Sequence, residues 1–254
     1  MRFRFTLVVG MLVVSLSVPA VAGASPVGSD QRISGSDADR GEGRPSVAFN
    51  PAAGQYLVVW EDTRNEATRG WDIYGRPVDA KGRPVAGESR ISAAKATGGD
   101  YQPSVAHNPS TNQYLVVWAD TRDKGTRGYD IYGRRVGADS KPIGGDLRIS
   151  TAEATGVKSD PSVAHNPSTN QYLVVWADDR NKPARGSDVY GRPIGGDGKP
   201  IGDDFRISGK DATGDEWSPA VAYNPAHNRY LVVWADTRDE PTRGWDIFGR
   251  RVAG

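Results

Sequence analysis

The chain has 254 residues with 37% hydrophobic and 25% charged content, the balance of a globular protein. Its formal charge is +1, or −1 once Arg2 and Arg4 leave with a leader, so no global field draws it to nucleic acid or an anionic membrane. With no cysteine, disulfide staples, thiolate nucleophiles and Cys-ligated zinc are excluded.

Met1-Arg2-Phe3-Arg4 is a basic start, and Phe5 to Pro19 is an apolar run that ends in small residues. This pattern predicts a signal peptide over residues 1–24, cleaved after Ala22 or Ala24, and an exported protein. The run is too short for a membrane span, and no later stretch is longer. Residues 25–31 read as a short linker.

From residue 32 onward the chain repeats itself. Arg-Ile-Ser recurs at Arg32, Arg90, Arg148 and Arg206, a step of 58 residues. The tryptophan of Y-L-V-V-W keeps the same step at Trp60, Trp118, Trp176 and Trp234. Repeats therefore run over 32–89, 90–147, 148–205 and 206–254 without insertion or deletion, and residues 103–120 are identical to 161–178.

Each repeat predicts four short strands. The first is Pro45 to Asn50, closed by the Asn50-Pro51 turn, and the second is Gln55 to Glu61, apolar on both faces and so an interior strand. The third is Asp72 to Val78, and a short outer strand lies around Arg90-Ile91-Ser92. Four antiparallel strands per repeat with turns between them predict an all-β propeller of four 58-residue blades. The small Ala48, Ala106, Ala164 and Ala222 suit a crowded axis. Arg32-Ile33-Ser34 is an outer strand with no blade before it, and the last repeat stops after its third strand. The ring is therefore expected to close by pairing of the N-terminal strand with the C-terminal blade. The competing arrangement is a half-ring that dimerises into eight blades.

Every repeat carries W-[EA]-D-x-R, placing Asp62 and Arg64, Asp120 and Arg122, Asp178 and Arg180, and Asp236 and Arg238 after the second strand. Beyond a loop comes R-G-x-D-[IV]-[YF]-G-R, with Asp72, Asp130, Asp188 and Asp246. This W-x-D-x-R…D-I-Y pattern resembles the TolB-like and sialidase-like propeller repeats of secreted bacterial proteins, over residues 32–254. The resemblance implies a propeller and leaves binding proteins and hydrolases equally open.

Two roles suit the repeated pair. A carboxylate and a guanidinium can tie a loop corner together in each blade, or they can flank a ligand beside an exposed aromatic. The aromatic position is Trp71, Tyr129, Ser187 and Trp245, so three blades keep a ring and one has lost it. An aromatic face beside Asp and Arg is chemistry that sugar rings meet. Trp60 and its equivalents belong to the core, where burying roughly 200 Å² of indole contributes about 5 kcal/mol before entropy.

His107 and His165 share a position with Phe49 and Tyr223 and read as aromatic stand-ins, while His227 lies in a turn. No metal-binding spacing is present; the Asp-rich turns allow calcium only weakly, and no other cofactor is expected. The visible departures from repetition are Glu61 for Ala, Asp179 for Thr, Ser187 for an aromatic, and Trp217 where the other copies have Gly43, Tyr101 and Ser159. They form no catalytic set in the sequence. The expectation is thus a secreted, non-enzymatic, multivalent binding module with lectin-like affinity for a glycan or cell-surface polymer. A protein-interaction platform and a sialidase-like hydrolase are the alternatives.

Overall fold

The computed structural model describes residues 24–35, 41–93, 98–152, 154–210 and 213–254, so residues 1–23 of the expected leader lie outside the described residues. Residues 31–254 form one compact unit. No helix among the described residues is long and apolar enough to cross a membrane.

The architecture is a four-bladed β-propeller. The first blade holds β1 (Glu42–Asn50), β2 (Gln55–Asp62), β3 (Asp72–Asp79) and β4 (Ser89–Arg90) in sequential antiparallel order. The second repeats this with β5 (Asp100–Asn108), β6 (Gln113–Asp120), β7 (Asp130–Gly137) and β8 (Pro142–Arg148). The third has β9 (Lys158–Asn166), β10 (Gln171–Asp178), β11 (Asp188–Gly195) and β12 (Phe205–Arg206). The last has β13 (Glu216–Asn224), β14 (Arg229–Asp236) and β15 (Asp246–Ala253). Single helical turns α1 (Glu66–Arg69), α2 (Lys182–Arg185) and α3 (Glu240–Arg243) interrupt three of the four loops after the second strand.

Consecutive inner strands pack side by side, β1 on β5, β5 on β9 and β9 on β13. One face of each blade meets the opposite face of the next. Leu57, Val59, Ile73 and Ile91 pack on Val105, Tyr114, Val116 and Trp118. The next two seams repeat this, Leu115, Val117, Ile131 and Ile149 against Tyr172, Val174 and Trp176, then Leu173, Val175, Val189 and Ile207 against Tyr230, Val232 and Trp234. Side-chain hydrogen bonds reinforce each seam: Asn50, Asn108 and Asn166 donate to Asn112, Asn170 and Asn228 at 2.8, 2.8 and 3.0 Å.

The expected closure is corrected by the structure. The fourth sheet has three strands, and residues 32–34 do not pair with β15. They lie against the first blade instead, where Arg76 Nη1 donates to the Ile33 carbonyl at 2.8 Å and the Gly35 N–H reaches Glu88. The physical reason is legible in the seam bonds. Between the fourth and first blades the Asn112 position is Gly54 and the Ser104 position is Ala220, so neither polar clamp can form there.

The inner strands begin three residues earlier than Pro45 and its equivalents suggest. A β-bulge sits near the start of each, between Gly43 and Ser46 in β1 and between Tyr101 and Ser104 in β5. It places Arg44, Gln102, Asp160 and Ser218 in the left-handed region, with φ of 47°, 58°, 51° and 49°. Bulges re-aim side chains and recur beside active sites.

Candidate functional site

The four Asp–Arg corners form the same structure. Trp60, Trp118, Trp176 and Trp234 each donate their indole N–H to the aspartate two residues on, at 3.0–3.4 Å. The arginine two residues further donates its backbone N–H to the same carboxylate at 2.8–3.0 Å. Its guanidinium pairs with that carboxylate and lies 3.8–4.0 Å over Tyr74, Tyr132, Tyr190 or Phe248. Burial pushes the Asp62 carboxyl up, but the Arg64 bonds outweigh it and hold it below the usual carboxylate range. Asp62, Asp120, Asp178 and Asp236 are 1% exposed or less. With their oxygens so engaged, these aspartates and Arg64, Arg122, Arg180 and Arg238 build the corner.

Asp72 and Asp130 are buried as well. Asp72 takes Asn65 at 2.8 Å and Arg90 at 3.5 Å, and Asp130 takes the buried Lys158 at 3.4 Å and Ser150 at 3.0 Å. Asp246, on the blade without an outer strand, is half-buried. All three stand at the start of their strands and act as scaffold.

The aromatic candidates divide. Trp71 and Tyr129 line one cavity of about 360 Å³ between the first two blades. Tyr101, on the bulged start of β5, lies between them, its ring 5.3 Å from that of Trp71. Trp245 is elsewhere: it stacks on Trp217 at 6.5 Å and is 64% exposed. The candidate sites expected one per blade are thus arranged differently: Trp71, Tyr101 and Tyr129 share one cavity, and Trp245 lies apart from it against Trp217.

The polar side of that cavity comes from residues that break the repeat. Glu61 stands on β2 where the other blades have Ala119, Ala177 and Ala235. Gly43 lies opposite it across the β1–β2 ladder, and a Cβ there would come within 3.2 Å of the Glu61 carboxylate, so the two departures depend on each other. Glu61 is 4% exposed and accepts the Gln102 N–H at 2.9 Å. Asp160 stands beyond that lining, on a second cavity that the starts of all four inner strands border together with Arg44 and Gln102, and it exchanges bonds with the Gln102 amide, its own N–H donating at 3.0 Å. One guanidinium spans both carboxylates: Arg44 Nε is 3.5 Å from Glu61 and Nη1 is 3.8 Å from Asp160. That keeps the two carboxyls within about 10 Å of each other, an upper limit that takes in the separations of both retaining and inverting glycosidases. Arg44, Gln102 and Asp160 are all bulge residues, which is why three consecutive blades can aim at one point.

Two buried acids stand at the starts of β5 and β13. Burial and the nearby Asp120 push the Asp100 carboxyl up to about 9, and burial pushes Glu216 up to about 7. Burial, with Tyr129 and Glu61 beside it, also raises the Tyr101 hydroxyl, which keeps it a neutral donor at the cavity.

Sequence reasoning singled out Trp71 and Tyr129 but missed Arg44, Tyr101, Gln102 and Asp160 as site residues. The available signal was variation: position 44 of the repeat reads Arg44, Gln102, Asp160 and Ser218 against an otherwise near-copied background.

No protein-family model matches the sequence, and no curated protein matches it. Solved structures do share the fold. An endo-arabinase from Bacteroides thetaiotaomicron aligns over 83% of this chain and 75% of its own at 12% identity and a TM-score of 0.57. A GH93 α-L-arabinofuranosidase of Fusarium graminearum, complexed with arabinobiose, aligns over 83% and 62% at 14% identity and 0.59. A Penicillium chrysogenum α-L-arabinanase, also with arabinobiose, aligns over 83% and 62% at 15% identity and 0.59. At these identities the likeness establishes the propeller fold. The expectation of a non-catalytic binding module finds no support among them, since these proteins with the same fold are glycoside hydrolases.

Proposed function

We propose that the protein is a glycoside hydrolase acting on a pentose-type oligosaccharide, with its site in the cavity between the first and second blades. The observation that carries this is the pair Glu61 and Asp160, bridged by Arg44 beside an aromatic floor. Sugar rings stack on Trp71, Tyr101 and Tyr129, which offer flat apolar faces. Glu61, the more buried carboxyl, gives a proton to the glycosidic oxygen as its bond to the anomeric carbon breaks. Asp160, more open to solvent, takes a proton from the water that attacks that carbon. Arg44 and the Gln102 N–H hold the two groups in place.

Support for the substrate class comes from the arabinobiose bound in two of the similar structures. Export by a leader over residues 1–24 belongs to the same proposal, since it would place the enzyme where polymeric glycans are met. So does kinship with TolB-like and sialidase-like repeats, which rests on the W-x-D-x-R…D-I-Y pattern.

The test is release of reducing sugar from α-L-arabinan and short arabino-oligosaccharides. The wild-type protein should release sugar, and Glu61→Gln and Asp160→Asn should each lower the rate about 10²- to 10⁴-fold. Absence of hydrolysis across these substrates, or full activity in either variant, overturns the proposal.

A further inference from the structure

The starts of the four inner strands are equivalent by register, yet only two of them carry a large aromatic ring. These are Tyr101 on β5 and Trp217 on β13, where β1 has Gly43 and β9 has Ser159. The inner strands pack in the order β1, β5, β9, β13, so the second and fourth blades stand on opposite sides of the ring axis. The residues that follow the two rings, Gln102 and Ser218, both border the axial cavity of about 330 Å³ to which Arg44 and Asp160 belong. Tyr101 and Trp217 therefore flank that cavity from either side.

Each ring has a partner, and the partners differ. Tyr101 lies against Trp71 of the preceding blade, and both are half-buried. Trp217 has no such neighbour, because the Trp71 position of the third blade is Ser187. Its ring pairs with Trp245 of its own blade, 6.5 Å away with the two planes 15° apart, a near-parallel arrangement that aromatic rings favour. Trp217 is 38% exposed and Trp245 64%, and neither belongs to the three packed clusters that join the blades. Lys182 stands over Trp217, its Nζ 5.7 Å from the ring and 3.9 Å from the Asp215 carboxylate. Two open indoles with an ammonium and a carboxylate beside them offer a flat apolar face, a donor and an acceptor in one place.

We propose, resting on the hydrolase reading above for where the bond is cut, that Trp217 and Trp245 form an outer subsite for the same carbohydrate chain. A chain laid on Trp71 and Tyr101 that crosses the axial cavity past Asp160 reaches Ser218 and then Trp217. There the apolar face of a sugar ring stacks on an indole, Lys182 donates to its hydroxyls and Asp215 accepts from them. The occupant is a polymer, because a disaccharide held by the first two blades leaves the far side of the axis empty. Contact at two places on one chain makes the second binding step intramolecular and tightens the whole.

The test is dependence on chain length. In the Glu61→Gln protein, which leaves substrate intact, α-L-arabinan in a native gel should retard migration. Adding Trp217→Ala and Trp245→Ala should weaken that retardation about 10-fold, with calorimetric binding of arabinobiose unchanged. Trp71→Ala should weaken both, and Trp245→Phe, which keeps a flat ring, should retain most of the arabinan affinity. Trp245→Ala alone, at the more open of the two indoles, carries the same test if the double variant melts early. Equal arabinan binding with and without the two indoles overturns the proposal. So does an equal loss for arabinan and arabinobiose, or a parent protein that arabinan does not retard. The hydrolase reading fails separately: a wild-type protein that cleaves nothing, but whose arabinan binding depends on Trp217 and Trp245, keeps the outer subsite and loses the reaction.

Discussion

Glu61 and Asp62 are neighbours on β2 and belong to different parts of the molecule. Asp62 is repeated in every blade and is locked between Trp60 and Arg64; Glu61 occurs in one blade and faces the cavity with Trp71 and Tyr101. The same contrast separates the four corners from the mouth between the first two blades. What each blade needs for itself is copied at a step of 58 residues, and what only one place needs is written as a departure from the copy. In a near-perfect repeat, invariance marks scaffold and deviation marks chemistry.

The sharpest way to break this contrast is to remove a repeated carboxylate. Asp120→Ala leaves Arg122 half-buried with one of its two acidic partners gone and Trp118 without its acceptor, so the expected loss is about 3–5 kcal/mol. At about 2–4 °C per kcal/mol for a domain of this size, the melting temperature should fall by roughly 10 °C. A change below 2 °C would show that the corner does not hold the blade.

The floor of the cavity should respond in the opposite sense. Trp71→Ala removes a half-buried ring that contacts Tyr101, so KM for an arabino-oligosaccharide should rise about 10-fold with little change in kcat or melting temperature. An equal loss in kcat and kcat/KM would place Trp71 in the reacting step rather than in binding.

The buried acids give a pH signature. Asp100 titrates at about 9 in the folded protein, well above an unfolded aspartate near 3.9, so the native state binds the extra proton between those values. Stability from this group is complete below pH 4 and is lost as pH rises toward 9. Asp100→Asn should therefore raise the melting temperature at pH 8 by a few degrees, and the gain should vanish near pH 4, as thermal melts across that range would show. A constant difference at all pH values would refute the assignment.

The smallest effect sharpens the contrast between inner and open seams. Gly54, with φ of +60° and open space around it, occupies the position of Asn112, Asn170 and Asn228, whose own φ values are 45–51°. Asn tolerates this conformation, so Gly54→Asn should fold normally and offer Asn224 the clamp of the inner seams. The melting temperature should rise by about 2 °C, whereas an unchanged melt would mean that the clamp adds nothing at that seam.

The blades were legible in the sequence because a strict repeat shows both period and strand pattern: Y-L-V-V-W reads as an interior strand, and N-P as the turn before it. The closure was misjudged, because complementary chain ends say nothing of the seam itself, where Gly54 and Ala220 stand in place of the residues that clamp the inner blades. Trp71 and Tyr129 were readable as candidates since their position lies on the loop side of every blade. Glu61 and Asp160 were not readable as a pair. They lie on different repeats, and only the bulge that turns Arg44, Gln102 and Asp160 into the left-handed region brings them together.

The most direct measurement of whether departures, rather than repeats, carry the chemistry is Glu61→Ala, which gives the first blade the residue of the other three. Arabinan hydrolysis and the melting temperature are read on the same protein. The predicted result is at least a 100-fold loss of rate with melting within about 2 °C of the wild type. Retained activity, or a fall in melting that accounts for the lost rate, would contradict the account.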